Sequence, residues 1–271
     1  MRTLVHLSDL HFGETDSTLL DPLVDLVKDL APDLIAVSGD LTQRARTWQF
    51  KAARTFLDRL PMPQIIVPGN HDVPLYDVLT RFTRPLERYR RYITDDLEPW
   101  FSDQEIAVLG INTARSLTFK HGRINVAQID RAQKRLRLMP TSITKVIVTH
   151  HPFDLPAGHG GGELVGRAAL AREMLSGSKC DLLLSGHLHR GTAAQGSMRR
   201  AGLAHEPIIV QAGTATSTRG RGESNSFNAI VIEPGHVAIR RYSWQAASRV
   251  FKLTDSEHFE RTATGWSHRP A

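Results

Sequence analysis

The sequence predicts an α/β protein built on parallel strands with helices packed outside them, and three observations carry that reading. Residues 3 to 67 alternate short apolar runs with helical periodicity in the order β-α-β-α-β, the pattern of parallel strands joined by crossover helices. Five apolar runs end abruptly in His, Asp or both. After a strand at 182 to 185 the helical pattern stops and only short strands follow, which fits two sheets, or one sheet with an antiparallel extension.

Taken in order, residues 3 to 7 read as a strand. Leu19, Leu20, Leu23, Leu26, Val27 and Leu30 then recur on one helical face, closed by Pro32. Residues 34 to 37 are a second strand, and Phe50, Ala53, Phe56, Leu57 and Leu60 give a second amphipathic helix from Thr47 to Leu60, ended by Pro61. The run Gln64-Ile65-Ile66-Val67 is a third strand that breaks into the turn Pro68-Gly69-Asn70-His71-Asp72. Residues 73 to 100 read as a helical stretch with Arg81, Arg84, Arg88, Arg90 and Arg91. Strands are expected at 106 to 111, 145 to 149 and 182 to 185, and helices near 127 to 138 and 166 to 176. Strands near 207 to 211, 227 to 232 and 236 to 243 follow. No internal repeat or low-complexity linker divides the chain, so residues 1 to 253 read as one domain, and residues 254 to 271 as a tail without clear signal.

With 271 residues the chain has length for a substantial core, and 41% hydrophobic and 23% charged residues are ordinary for a globular protein. A net charge of +6 makes anionic partners plausible without choosing among phosphate esters, nucleic acid and membrane surfaces. Cys180 is the only cysteine, so no internal disulfide can form and nothing points to an oxidising compartment. Asp9 and His11 interrupt the first apolar stretch, and no run nears the ~18 residues of a membrane span. A cytoplasmic location is the expectation.

Strands of an open α/β sheet present functional groups at their carboxyl ends, where the connecting loops converge. Asp9, His11, Asp40, Asn70, His150, His187 and His189 all stand at such ends and are expected to face one another. Mixed oxygen and imidazole ligands suit Mn, Fe, Zn, Co or Ni more than Ca or Mg. Seven ligands exceed one tetrahedral zinc; they suit two ions roughly 3.5–4 Å apart that share a carboxylate. Such a pair lowers the pKa of a bound water and neutralises phosphoryl oxygens, as hydrolysis of a phosphate ester requires. His71, beside Asn70, is the candidate to serve the leaving group.

Asp9-Leu10-His11, Gly39-Asp40, Gly69-Asn70-His71-Asp72, His150 and Gly186-His187-Leu188-His189 resemble, in order, the motifs of the calcineurin-like metallophosphoesterase superfamily, over about residues 3 to 243. The resemblance implies a four-layer α/β/β/α sandwich with two mixed sheets. It implies a first metal on Asp9, His11, Asp40 and His189, a second on Asp40, Asn70, His150 and His187, and His71 as catalytic residue against the phosphate. Manganese, iron or zinc would occupy the pair. Thr149-His150-His151-Pro152 is most similar to the cyclic-nucleotide and glycerophosphodiester phosphodiesterase branch. The expected partner is a small phosphodiester, with attack by a metal-held hydroxide. A phosphomonoesterase or nuclease would use the same centre, and a metal-free interaction module is the reading from another class. Many relatives carry an acid three residues after the bridging Asp, where this chain has Gln43, which weakens the support for a protonated His71.

Other residues read more plainly. Asp72 is expected to hold its turn, and His6 and His121 to be structural or surface residues. Strand alternation would turn His151 away from the site, leaving it a lesser candidate for substrate contact. Ser8, Ser38, Thr149 and Ser185 suit a crowded strand end, and the Arg/Lys sets at 81 to 91 and 131 to 137 suit solvated helix faces. His159 sits in a glycine-rich loop. Arg219, Arg221, Ser224 and Asn225 form a loop that would return to the metal rim, with Arg219 a candidate to read substrate phosphate.

Overall fold

Alternate residues of each central strand enter different apolar cores, and that separation gives the layer order. The computed structural model describes residues 1–155, 163–196, 205–219 and 222–269. β1 (Arg2–Leu7), β2 (Leu34–Ser38) and β3 (Gln64–Val67) pair in parallel. Val5, Leu7, Ile35, Val37 and Ile66 project outward onto α1 (Leu20–Asp29) and α2 (Thr47–Leu57), joining Leu23, Val27, Phe50 and Phe56. Leu4, Leu34, Ala36, Ile65 and Val67 project inward and meet Ile106, Val108, Val146, Val148, Leu182 and Leu184 of a second sheet. In that sheet β5 (Ile106–Gly110), β6 (Thr144–Val148), β7 (Leu182–Ser185) and β9 (Ile208–Gln211) are parallel. β4 (Trp100–Ser102) and β8 (Thr192–Gln195) close its edges antiparallel. Leu109, Ile147 and Leu183 form its outer core with α5 (Val126–Arg137) and α6 (Ala168–Ser176). Three cores between four layers make the α/β/β/α sandwich.

Local chemistry sets the element ends. Asp16 accepts from the Thr18 N–H at 2.9 Å and opens a 3-10 turn, Ser17–Leu19, that leads into α1. Asn125 caps α5 by accepting from the Gln128 N–H at 2.8 Å, and the Gln128 side chain reaches back to the Asn125 N–H. α2 ends at Leu57, short of the expected Leu60, because the Arg59 and Leu60 N–H groups turn back onto the Phe56 and Leu57 carbonyls three residues earlier and tighten the last turn. The stretch from 73 to 100 holds two short helices, α3 (Val78–Thr83) and α4 (Glu87–Tyr92), rather than one. Pro85 lies between them and cannot donate a helical hydrogen bond.

The tail corrects the expected boundary at residue 253. β10 (Ser226–Glu233) pairs antiparallel with β1, and β11 (His236–Gln245), β12 (Val250–Thr262) and β13 (Gly265–Arg269) extend the first sheet. The boundary therefore falls inside β12. Its signal was faint because Phe251 and Phe259 are the only fully buried positions on β12, so apolar alternation is missing from the sequence. Trp266 of β13 is nonetheless buried, and its indole N–H donates to Asp181 at 2.8 Å. Among the described residues no helix is long and apolar enough to cross a membrane.

Candidate metal centre

Five strand ends converge: the segments after β1, β2 and β3 of one sheet, and after β6 and β7 of the other. The turns are tight enough to hold Asp9, His11, Asp40, His187 and His189 at φ between 48° and 72°, a left-handed region that non-glycine residues seldom adopt. Two motif glycines answer a steric demand. A Cβ on Gly69 would lie 2.1 Å from Asp40 Oδ1, and one on Gly186 would lie 1.8 Å from the Ser8 hydroxyl. Neither motif tolerates a side chain there, because its backbone packs directly on a carboxylate or its partner.

Asp9, His11, Asp40 and His189 form one buried cluster whose ligand atoms all lie within 4.8 Å of one another. Asp9 is aimed by its Oδ2, which accepts from the Ser8 hydroxyl at 2.7 Å and the His187 N–H at 3.1 Å. Its Oδ1 is thereby left to face His189 Nε2 at 3.2 Å and His11 Nε2 at 3.5 Å. Ser8 is thus an orienting partner, and not merely a small residue at a crowded strand end. Asp40 is held the same way: Oδ1 accepts the His71 N–H at 2.8 Å. Oδ2 stands between the groups, 3.8 Å from His11 Nε2 and 3.3 Å from His150 Nε2.

The second group gathers His150, His151 and His187. His150 Nδ1–H donates to the Ser38 carbonyl at 2.7 Å, which turns Nε2 toward Asp40 and, at 3.2 Å, toward Asn70 Oδ1. His187 Nε2 is buried and has no hydrogen-bond partner among the described residues. His151 is not turned away: its ring centre lies 4.8 Å from His150 and 4.7 Å from His187, and it is fully buried. β6 ends at Val148, so strand alternation no longer governs residue 151. The Thr113 hydroxyl, 2.8 Å from Nδ1, anchors the ring. His121 also faces the centre, 6.4 Å from His187.

Burial opposes ionisation of Asp9 and Asp40, yet the surrounding histidines hold both carboxyls below the usual range. His150, desolvated but beside Asp40, is lifted to about 9, whereas burial and His150 push His187 down to about 3. Among the described residues, none donates a hydrogen bond to the buried carboxylate oxygens Asp9 Oδ1 and Asp40 Oδ2. Such oxygens are costly unless a cation or donor meets them. Together with His150 and His189, whose Nδ1 edges are pinned by the Ser38 and Arg219 carbonyls, they fit divalent ions well.

His71 sits at the mouth of the centre. Its Nδ1–H donates to the Gln43 carbonyl at 2.9 Å, and Arg219 Nη1 lies 3.3 Å from Nε2, so the ring is neutral with its proton on Nδ1. Burial, His11 and Arg219 lower its pKa. The Gln43 side chain accepts from Arg219 at 3.0 Å instead of touching His71. Asn225 donates to the Ser217 and Thr214 carbonyls and so shapes the loop that returns Arg219 to the rim. Arg44 stands at the other ring edge, 3.4 Å from Nδ1. Arg44 was not singled out from the sequence, and its place one residue after Gln43 is the signal that could have found it.

Asp72 accepts from the Leu41, Thr42 and Gly69 N–H groups, tying the turn to the β2 end as expected. Arg81 departs from a solvated face. It is 2% exposed, donates to Ser116 and Pro74 carbonyls, and lies over the Phe119 ring at 4.2 Å. His159 and Arg221 lie outside the described residues.

Residues 2–191 match the family described as calcineurin-like phosphoesterase. The chain is 34% identical over 80 residues to glycerophosphodiester phosphodiesterase GpdQ of Enterobacter lignolyticus, covering 26% of this chain and 29% of the relative. It is 24% identical over 163 residues to a probable glycerophosphodiester phosphodiesterase GpdQ of Arcobacter nitrofigilis, covering 59% and 57% of the two chains. These matches span less than two thirds of the relatives' length. Among solved structures, purple acid phosphatase PPD1 from yellow lupin superposes with a TM-score of 0.72 at 14% identity, over 97% of this chain and 54% of the other. That likeness bears on the fold.

Proposed function

The chain belongs to the calcineurin-like phosphoesterase family, and on that premise we propose that it is a dinuclear-metal hydrolase of phosphodiesters. The observation that carries this reading is the pair of donorless buried oxygens, Asp9 Oδ1 and Asp40 Oδ2, set among imidazole nitrogens. In the proposal Asp9, His11, Asp40 and His189 hold one ion. Asp40, Asn70, His150 and His187 hold the other, and Asp40 is shared. Manganese, iron or zinc suits that donor set. When bound, two such ions supply a water of lowered pKa and a positive clamp on the phosphoryl oxygens.

The chain's own groups then supply orientation and proton handling. Ser8 and the His187 N–H keep Asp9 aimed, and the Ser38 carbonyl sets the tautomer of His150. His151 backs His150 and His187, and meets substrate only at their margin. His71 contacts the phosphate and assists the leaving oxygen. Its lowered pKa makes the protonated ring a strong but sparsely populated acid at neutral pH. Arg219 binds a phosphate oxygen. The names of the relatives favour a diester, with a glycerophosphodiester or a 3′,5′-cyclic nucleotide as the class to test.

Metal-depleted protein reconstituted with Mn²⁺ is expected to hydrolyse bis(p-nitrophenyl) phosphate in preference to p-nitrophenyl phosphate, and the chelated control to do neither. A reversed preference moves the function to phosphomonoesters. Failure to bind metal removes the hydrolase reading.

A further inference from the structure

Two guanidinium groups flank His71 and neither is neutralised. Arg219 lies at Nε2 and Arg44 at Nδ1, 3.3 and 3.4 Å away. Among the described residues neither has a carboxylate within ion-pairing distance. Their protein partners are neutral. Arg219 donates to the Gln43 side chain, and Arg44 donates to the Gln43 carbonyl at 3.1 Å. An acid at position 43 would cancel the charge of Arg219; the amide holds the guanidinium and leaves the charge in place. Bound divalent ions would add four positive charges against the two carboxylates of Asp9 and Asp40. A diester with a single negative charge leaves this mouth strongly positive, a costly arrangement in a partly buried site.

Arg44 and His71 also line a cavity of about 60 Å³ whose walls include Gln43, Asn70, Arg81 and the apolar Val73, Leu75 and Phe119. The Arg81 guanidinium in that wall is turned onto the Ser116 and Pro74 carbonyls and the Phe119 ring, so Val73, Leu75 and Phe119 supply apolar surface beside Arg44, which itself lies near the Tyr76 ring, 5.9 Å from its centre. We propose that Arg44 and Arg219 form a second anion subsite. The substrate that fits is a diester whose reacting phosphorus is joined through oxygen to a second phosphoryl group, itself carrying an organic group. This rests on the hydrolase reading above and deepens it. A dianionic monoester would also bring a second charge, but it places no organic group beyond Arg44. In the reaction, a water oxygen bonds to one phosphorus while the bridging P–O bond breaks. Its electron pair leaves on the bridging oxygen. Two phosphomonoesters form, and the protons of water pass to solvent. Gln43 is a positioning residue: it holds Arg219 without neutralising it.

The test compares diadenosine 5′,5′-diphosphate with adenylyl-(3′→5′)-adenosine, which differ chiefly by one phosphoryl group. Bis(p-nitrophenyl) phosphate and p-nitrophenyl phosphate run alongside, and metal content is measured for every variant. Metal-loaded protein is expected to favour the diphosphate by about tenfold or more in kcat/KM, the scale of one charge-assisted hydrogen bond. Arg44→Ala, Arg219→Ala and Gln43→Glu should each collapse that ratio at unchanged metal content, and Arg219→Lys should retain part of it. A ratio near one in a protein that cleaves bis(p-nitrophenyl) phosphate overturns the subsite and leaves the hydrolase reading standing. A high ratio unmoved by these variants also overturns it. So does a preference for p-nitrophenyl phosphate that the arginine variants abolish, since the charges would then read a dianion on one phosphorus. No turnover of any diester by metal-loaded protein overturns the hydrolase reading itself.

Discussion

The strand ends around Asp40, drawn from both sheets, and the antiparallel ribbon of β11, β12 and β13 at the far edge of the first sheet store free energy in opposite ways. Of the ten non-glycine residues at positive φ among the described residues, five are Asp9, His11, Asp40, His187 and His189. Each left-handed residue costs on the order of 1–3 kcal/mol, and two carboxylate oxygens there lack donors. The ribbon runs in regular pairing apart from one shift at Arg241/Tyr242, and its charges sit on the surface. It contributes Phe259 and Trp266 to the core between the sheets. The contrast teaches that the centre is a place of strain and desolvated charge, held in shape by stability gathered elsewhere. Residue types at the two places follow suit: Gly, Asp and His at the turns, and in β12 mostly exposed or half-buried residues around the two buried aromatics Phe251 and Phe259.

The comparison breaks most severely at Asp40. Asp40→Asn should remove both ions from purified protein by elemental analysis. Turnover should fall by more than the ~10²–10³-fold that loss of one preorganised electrostatic contact costs. Retention of either ion at full occupancy would show that the carboxylate is not shared. His71→Ala should leave metal content intact and slow hydrolysis by about 10²–10⁴-fold, most for substrates with poor leaving groups. Loss of metal in that variant would move His71 into the ligand set. The smallest effect on chemistry belongs to the ribbon. Trp266→Ala should lower stability in urea by about 3–5 kcal/mol, as removal of a large buried aromatic does, while metal content and turnover per folded molecule stay level. A change in metal content would mean that the ribbon also shapes the centre.

Most of the architecture was legible in the chain because apolar period and breakers act locally. Leu34 to Val37 can only be a buried strand, and Pro32, Pro61 and Pro68 punctuate the units around it. The residues of the centre were legible for the same reason, since each stands directly after such a run. β12 and β13 escaped because a strand half exposed to solvent has little apolar alternation to read. His151 escaped because its ring direction is set past the end of β6, by Thr113 on a loop from another part of the sheet. Arg44 escaped because no periodic rule governs a turn, and Arg81 because its burial depends on the Ser116 carbonyl and the Phe119 ring, more than thirty residues away.

By itself, the sequence determined that strands would end in Asp, His and Asn, that glycines would stand beside them, and that one amide would replace an acid at position 43. Those are properties of residue type and short spacing. Packing between distant segments turned one Asp40 oxygen between two groups, set the Gln43 side chain on Arg219, and brought two unneutralised guanidiniums to His71. Each depends on where separate loops come to rest against one another. That is settled by packing and by hydrogen-bond satisfaction across segments far apart in the chain.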